Sequence, residues 1–148
     1  MKLRGVLIEG VFEKRLNRFT ATASVDGLSI LCYVPNPGRM KTLLNPGARI
    51  ILREIEVENR KTRYDLIAVY SVKEVVSIDS RIPNRLLSEV FQGRLLEDFL
   101  QYTSIRREYV YNRSRFDFLL YNSREKCLVE AKSCILAKDN TALLPDAS

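Results

Sequence analysis

The chain has 148 residues, with 24 Lys and Arg against 18 Asp and Glu, a formal net charge of +6, and 46% of its residues apolar. That length holds one ordinary domain or two small ones, and the apolar share excludes a disordered chain. There is no His, which excludes Ser-His-Asp triads, Cys-His dyads, HExxH zinc sites and histidine bases, so hydrolysis must run on carboxylates, Lys, Tyr or a bound metal.

Residues 5–76 read as strands. Val6–Phe12 comes first, then Phe19–Val25, where Phe19, Ala21, Ala23 and Val25 alternate with more polar neighbours. Asp26-Gly27 is a strong hairpin signal and leads into Leu28–Val34. Pro35, Pro37 and Gly38 then stop the ladder, and Asn45-Pro46-Gly47 turns the chain into Ala48–Val57. Arg63–Val72 is the last run. Five short strands in such a stretch suit a closed barrel of the oligonucleotide-binding (OB) type, because closure removes exposed edges; this predicts an OB-like five-stranded β-barrel over residues 1–78.

The grammar changes after Ser77. Ser80–Asn84 reads as a linker ending in an Asn84 N-cap. Leu86, Leu87, Val90 and Phe91 share a helical stripe, which Gly93 breaks and Leu95–Leu100 resumes. Strands follow over Arg107–Asn112 and Arg115–Tyr121, and after the Ser123-Arg124-Glu125 turn a third runs over Lys126–Leu136. Residues 79–148 therefore form a mixed half with a helix on one face of a sheet, and the fold class is α+β.

Charge divides unevenly. Residues 1–78 carry 13 Lys and Arg against 8 Asp and Glu, while 79–148 carry 11 against 10. The barrel holds the positive field, and Arg outnumbers Lys 16 to 8 in the whole chain. Guanidinium groups grip phosphate oxygens bidentately, so the partner expected is nucleic acid. Arg-rich surfaces also serve ion-pair networks in heat-adapted proteins. Cys32, Cys127 and Cys134 are an odd number with no CxxC, which speaks against a disulfide framework or zinc site. The first apolar run is too short for a signal peptide and no later run spans a membrane, so a reduced, cytoplasmic protein without a membrane partner is expected.

The second half holds a constellation fit for chemistry. Asp117 lies in Phe116–Leu120, and Glu130 and Lys132 lie two residues apart in Val129–Ser133. On a strand, Glu130 and Lys132 point to one face about 7 Å apart, and an antiparallel partner carrying Asp117 sets its carboxylate beside Glu130. A divalent cation relieves the repulsion of two carboxylates; Mg²⁺ or Mn²⁺ held by Asp117, Glu130 and the backbone carbonyl of Ala131 would suit phosphodiester hydrolysis. Lys132 would orient or deprotonate the water and offset charge developing on phosphorus. Glu89 on the preceding helix can add a third carboxylate or stand on a solvated face. Arg106, Arg107, Arg113 and Arg115 flank the same strands and can steer phosphates. The bland alternative is a surface ion pair, since an acid-x-Lys triplet is expected by chance about once in such a chain.

In the first half, Arg18-Phe19, Tyr33–Arg39 and Arg63-Tyr64 each set an Arg near an aromatic ring. Such pairs hold a phosphate while a base stacks, which makes Arg18, Phe19, Asn36, Gly38, Arg39, Arg63 and Tyr64 the candidate nucleic-acid contacts, with backbone N–H groups near Gly38 facing an anion. Phe19 and Tyr33 equally fit the barrel interior.

These segments, in this order, resemble the sugar fermentation stimulation protein A (SfsA) family. The matching stretches are Asn17-Arg18-Phe19, Val34–Met40, Arg63-Tyr64, Pro83–Leu87, Ser114–Phe118, Val129–Ser133 and Pro145-Asp146-Ala147. The resemblance implies an OB-like DNA-binding domain followed by a PD-(D/E)xK nuclease-type domain, with the nuclease signature on Asp117, Glu130 and Lys132. The family's loop usually has Asn-Thr-Gly where this chain has Asn36-Pro37-Gly38. Family members also continue well past Pro-Asp-Ala, whereas only 14 residues follow Cys134 here. The nuclease-like half is therefore expected to be truncated, with one sheet face bare and open to homodimerisation. The function implied is a DNA-binding protein with a metal-dependent phosphodiesterase site, or a DNA-binding regulatory protein that keeps the site without turnover.

Overall fold

The structure is a computed structural model and describes residues 2–3, 5–56, 60–72, 74–138 and 141–144. The Pro145-Asp146-Ala147 stretch lies outside the described residues. The chain divides into two compact units, one of Lys2–Ser80 with the segment from Cys134 onward, the other of Arg81–Ser133.

The first unit is built on β1 (Leu7–Arg15), β2 (Thr20–Val25), β3 (Leu28–Tyr33), β4 (Arg49–Glu54) and β5 (Tyr64–Tyr70). β1 pairs antiparallel with both β2 and β4, β2 with β3, and β4 with β5. A parallel pairing of β3 with β5, Cys32 opposite Tyr64 and Tyr33 opposite Asp65, closes the ring. The result is the expected five-stranded OB-like barrel. At the β2–β3 hairpin Asp26 and Gly27 both have positive φ, 50° and 79°, the tight turn whose twist suits flanking strands.

β1 runs three residues past its expected end at Phe12 because it serves two partners. Leu7–Val11 pair with β4, and Val11–Arg15 pair with β2 across a bulge between Phe12 and Lys14. Gly10 permits the bend: a Cβ there would lie 2.9 Å from the Ser24 carbonyl oxygen. Phe12, Ala21, Ala23, Cys32, Ile50, Leu52, Leu66 and Val69 fill the interior, and Met40 and Leu44 from the β3–β4 loop join that core. A short strand the sequence did not predict, β6 (Val75–Ser77), adds to the edge of β5. A buried ion-pair network sits among these strands: Asp65 accepts from Arg53 at 3.1 Å and Arg60 at 2.6 Å, and Asp79 lies 3.7 Å from Arg53.

The second unit holds α1 (Ile82–Gln92), a 3₁₀ turn at Glu97–Phe99, and an antiparallel sheet of β7 (Ser104–Tyr111), β8 (Ser114–Tyr121) and β9 (Lys126–Val129) in that order. Leu87 and Phe91 of α1 pack with Phe118, Leu120, Cys127 and Val129, with the Phe91 and Phe118 rings edge to face at 5.4 Å.

Three local expectations are corrected. Asn84 is not the N-cap: the helix starts at Ile82 after Arg81, with Pro83 in its first turn, where a missing N–H costs nothing. The helix does not resume over Leu95–Leu100. Arg94 adopts a left-handed φ of 54°, and Leu95 N–H to Val90 O with Arg94 N–H to Phe91 O make a Schellman stop. Finally, β9 ends at Val129, not Leu136, so Glu130 and Lys132 lie just beyond the ladder. Two-residue strands β10 (Ala137–Lys138) and β11 (Thr141–Ala142) form a further hairpin, and Ile135 packs against the barrel core.

Candidate functional site

On the barrel, a cleft is lined by Arg15, Leu16, Asn17, Arg18, Pro37, Arg39 and Lys41. Four of these seven are cationic and none is acidic, so the cleft carries a positive potential. Arg15, at the end of β1, shapes it. Its guanidinium donates to the carbonyls of Asn17 at 3.0 Å, Gly38 at 2.5 Å and Asn36 at 2.6 Å, and also to that of Arg18. One side chain thus ties the β1–β2 turn to the loop after β3. Neither Arg15 nor Lys41 was singled out from the sequence.

Arg18 and Arg39 lie on this cleft as expected, but Asn36 and Gly38 serve the loop itself. Asn36 donates to Ile78 O at 3.0 Å and accepts from Gly38 N–H at 2.9 Å. The Gly38 N–H expected to face an anion is therefore already engaged, because the Asn36 amide lies within the same turn.

Phe19 is 42% exposed and stacks on Tyr33 with ring centroids 6.1 Å apart and planes 15° from parallel. It is not barrel interior. The Arg60 guanidinium lies 5.4 Å from the Tyr33 ring centroid. Phe19 is held by its backbone: its N–H donates to Asn17 Oδ1 at 2.9 Å and its carbonyl accepts from Val34 N–H at 2.8 Å. The structure does not bring Arg63 and Tyr64 into this group. Arg63 pairs with Glu54, whose hydrogen bond raises the guanidinium pKa, and Tyr64 is half-buried against the barrel core.

In the second unit, Asp117 on β8 is half-buried and fully engaged. Its Oδ1 accepts from Asn84 Nδ2 at 2.5 Å and its Oδ2 from Ala131 N–H at 2.8 Å. The β8–β9 ladder ends at Phe118 opposite Val129, so Asp117 and Glu130 are the next residue on each side beyond the last pair. Lys132 Nζ donates to Glu130 Oε1 at 2.5 Å. That bond raises the Lys132 pKa, and the charges of Glu130 and Asp117 raise it further. Ala131 enters through its N–H donated to Asp117. Glu89 is exposed and lies five residues beyond Asn84, about 140° round the helix. Among the described residues no three His, Cys, Asp or Glu side chains are placed to share a metal ion. Each Asp117 oxygen accepts one hydrogen bond and keeps acceptor capacity, and Asp117 and Glu130 are the oxygen donors a Mg²⁺-type ion takes beside water and phosphate.

Asn84 escaped the sequence reading because its amide looked like a cap. Its signal was position: it sits in the first turn of a helix that packs on the strand carrying Asp117.

Comparison with known proteins gives two family matches, the SfsA N-terminal OB domain over residues 14–78 and the sugar fermentation stimulation protein RE domain over residues 81–148. A sugar fermentation stimulation protein homolog of Alkaliphilus metalliredigens is 43% identical, covering 98% of this chain and 63% of that protein. One of Caldanaerobacter subterraneus subsp. tengcongensis is 39% identical, covering 99% and 64%. Among solved structures, Pyrococcus furiosus SfsA in complex with Ca²⁺ matches with a TM-score of 0.84 and 27% identity, over 100% of this chain and 64% of that one. The chain thus spans under two thirds of the length of these relatives. Among the described residues no helix is long and apolar enough to cross a membrane.

Proposed function

Because the chain belongs to the sugar fermentation stimulation protein (SfsA) family, we propose that it binds nucleic acid, DNA first, through the barrel cleft. The observation that carries this reading is the lining itself: Arg15, Arg18, Arg39 and Lys41 without an acidic neighbour, beside the Phe19–Tyr33 stack. Backbone phosphates would lie on the cations, and the sequence-independent part of affinity would come from released counterions. Four contacts predict a slope of log affinity on log salt of about −3 to −4. Titrating labelled DNA at several salt concentrations tests it; an affinity indifferent to salt, or to Arg18→Ala with Arg39→Ala, would refute it. Three free thiols suit the reducing cytoplasm as its compartment.

A second reading has its own observation: Asp117 accepts from the N–H of Ala131, the residue between Glu130 and Lys132, which pair with each other. We propose for these residues a PD-(D/E)xK-type site in which Asp117 and Glu130 would hold Mg²⁺ or Mn²⁺. The relative from Pyrococcus furiosus, solved with Ca²⁺, supports a divalent ion in the family. Bound there, the ion would supply Lewis acidity toward a phosphodiester. The chain's own residues do the rest. Asn84 and the Ala131 N–H orient the Asp117 carboxylate, and the Lys132 ammonium stabilises negative charge on the phosphate. Nicking of plasmid DNA with Mn²⁺, lost in Lys132→Ala while binding persists, is the expected result. Binding without cleavage under every divalent ion would leave a DNA-binding regulatory protein.

A further inference from the structure

The Phe19–Tyr33 ring pair, next in the chain to the cleft residue Arg18, bears on which form of nucleic acid the barrel takes. We infer that the Phe19–Tyr33 stack is a platform for an unpaired base, so that the barrel prefers single strands over duplex. This rests on the nucleic-acid reading above and adds the state of the strand to it.

The observations are geometric. Phe19 follows Arg18 directly, so a cleft cation and a ring are neighbours in the chain, a phosphate contact and a base contact within one turn. The Phe19 and Tyr33 rings form an offset pair, 15° from parallel with centroids 6.1 Å apart, and Phe19 is 42% exposed. A base laid on the exposed part of Phe19 would add a further ring to that pair. The Phe19 backbone is already fixed by Asn17 Oδ1 and Val34 N–H, and Arg15 fixes the adjoining loops. Little freedom is therefore left to lose on binding. In a duplex each base is already covered on both faces, and freeing one costs a few kcal/mol. An unpaired strand offers its bases without that cost. Stacking on an aromatic ring is sequence-tolerant, so the preference is for strand state and not for sequence.

The test is fluorescence anisotropy with a labelled oligo-dT and with a duplex of the same length, in one buffer. The single strand should bind at least about tenfold more tightly, and Phe19→Ala should lower its affinity about tenfold and bring the two affinities together. Phe19→Leu, which keeps the apolar bulk without a ring, should behave like Phe19→Ala, and Phe19→Tyr should restore the preference. Circular dichroism confirms that each variant is folded. Equal or tighter duplex binding, or single-strand binding untouched in both Phe19→Ala and Phe19→Leu, overturns the inference while salt-dependent binding keeps the nucleic-acid reading standing. No binding of either oligonucleotide at low salt overturns both.

Discussion

The side-chain amide of Asn84 and the carboxylate of Asp117, 33 residues apart, meet at 2.5 Å and join the first turn of α1 to the middle of β8. With the Ala131 N–H on its other oxygen, Asp117 is aimed before any ligand arrives. Removing the amide in Asn84→Ala should cost about 1 kcal/mol of stability. Asn84→Asp should cost more, by setting a carboxylate against Asp117, and millimolar Mg²⁺ or Ca²⁺ should recover part of the loss. Thermal melts with and without the ion check this; a melt of Asn84→Asp indifferent to divalent ions would count against a cation at Asp117.

Arg15 invites a second test. A lysine keeps the charge but cannot reach the four carbonyls of Asn17, Arg18, Asn36 and Gly38 together. Arg15→Lys should lose about 1–3 kcal/mol in urea unfolding and weaken DNA binding despite its unchanged charge. Full affinity in a folded Arg15→Lys would show that the cleft works by charge without shape.

How much of this was legible follows from where each signal lives. Asp26-Gly27, the alternation of Ala21 and Ala23, and the prolines after Tyr33 are local, and the barrel strands were readable from them. The Glu130–Lys132 ion pair was readable from their i, i+2 spacing, and the turn at Ser123-Arg124-Glu125 from its local residues. Arg15 was not, since its partners are backbone carbonyls, which every residue has and which leave no mark in a sequence. Asn84 misled because cap preference is a weak local tendency, overruled here by Pro83 and by a partner 33 residues away. Gly93 gave the right break one residue early, with Arg94 taking the left-handed position.

The Asp65 carboxylate accepts from Arg53 and Arg60, and is itself 1% exposed. Deleting it in Asp65→Ala leaves the buried Arg53 with Asp79 alone, at 3.7 Å, and takes the carboxylate from Arg60, at a cost of about 3 kcal/mol. Equilibrium denaturation should show a loss far larger than for Glu9→Ala, whose pair with Arg49 is exposed.

Cys32 gives the pH dependence. Burial pushes its thiol from 9.0 up to about 12. Above pH 9 the unfolded chain gives up this proton and the folded one keeps it, so the contribution is whole below pH 9 and is lost as pH rises toward about 12. The loss is about 1.4 kcal/mol per pH unit within that window. Cys32→Ala, though less stable at neutral pH, should show a shallower decline. In the native protein at pH 8, alkylation should reach Cys127 and Cys134 well before Cys32, as mass spectrometry of the labelled protein would reveal.

The ring closes on very little: β3 meets β5 through Cys32 with Tyr64 and Tyr33 with Asp65 alone. Such a seam joins segments distant in the chain by few backbone bonds, so amide hydrogens there are poised to exchange through small openings that leave the other ladders intact. Tyr33 belongs both to that seam and to the ring pair with Phe19. A strand held on that pair would therefore stitch the barrel shut, and slowed exchange around Tyr33 and Tyr64 would report it from inside the fold.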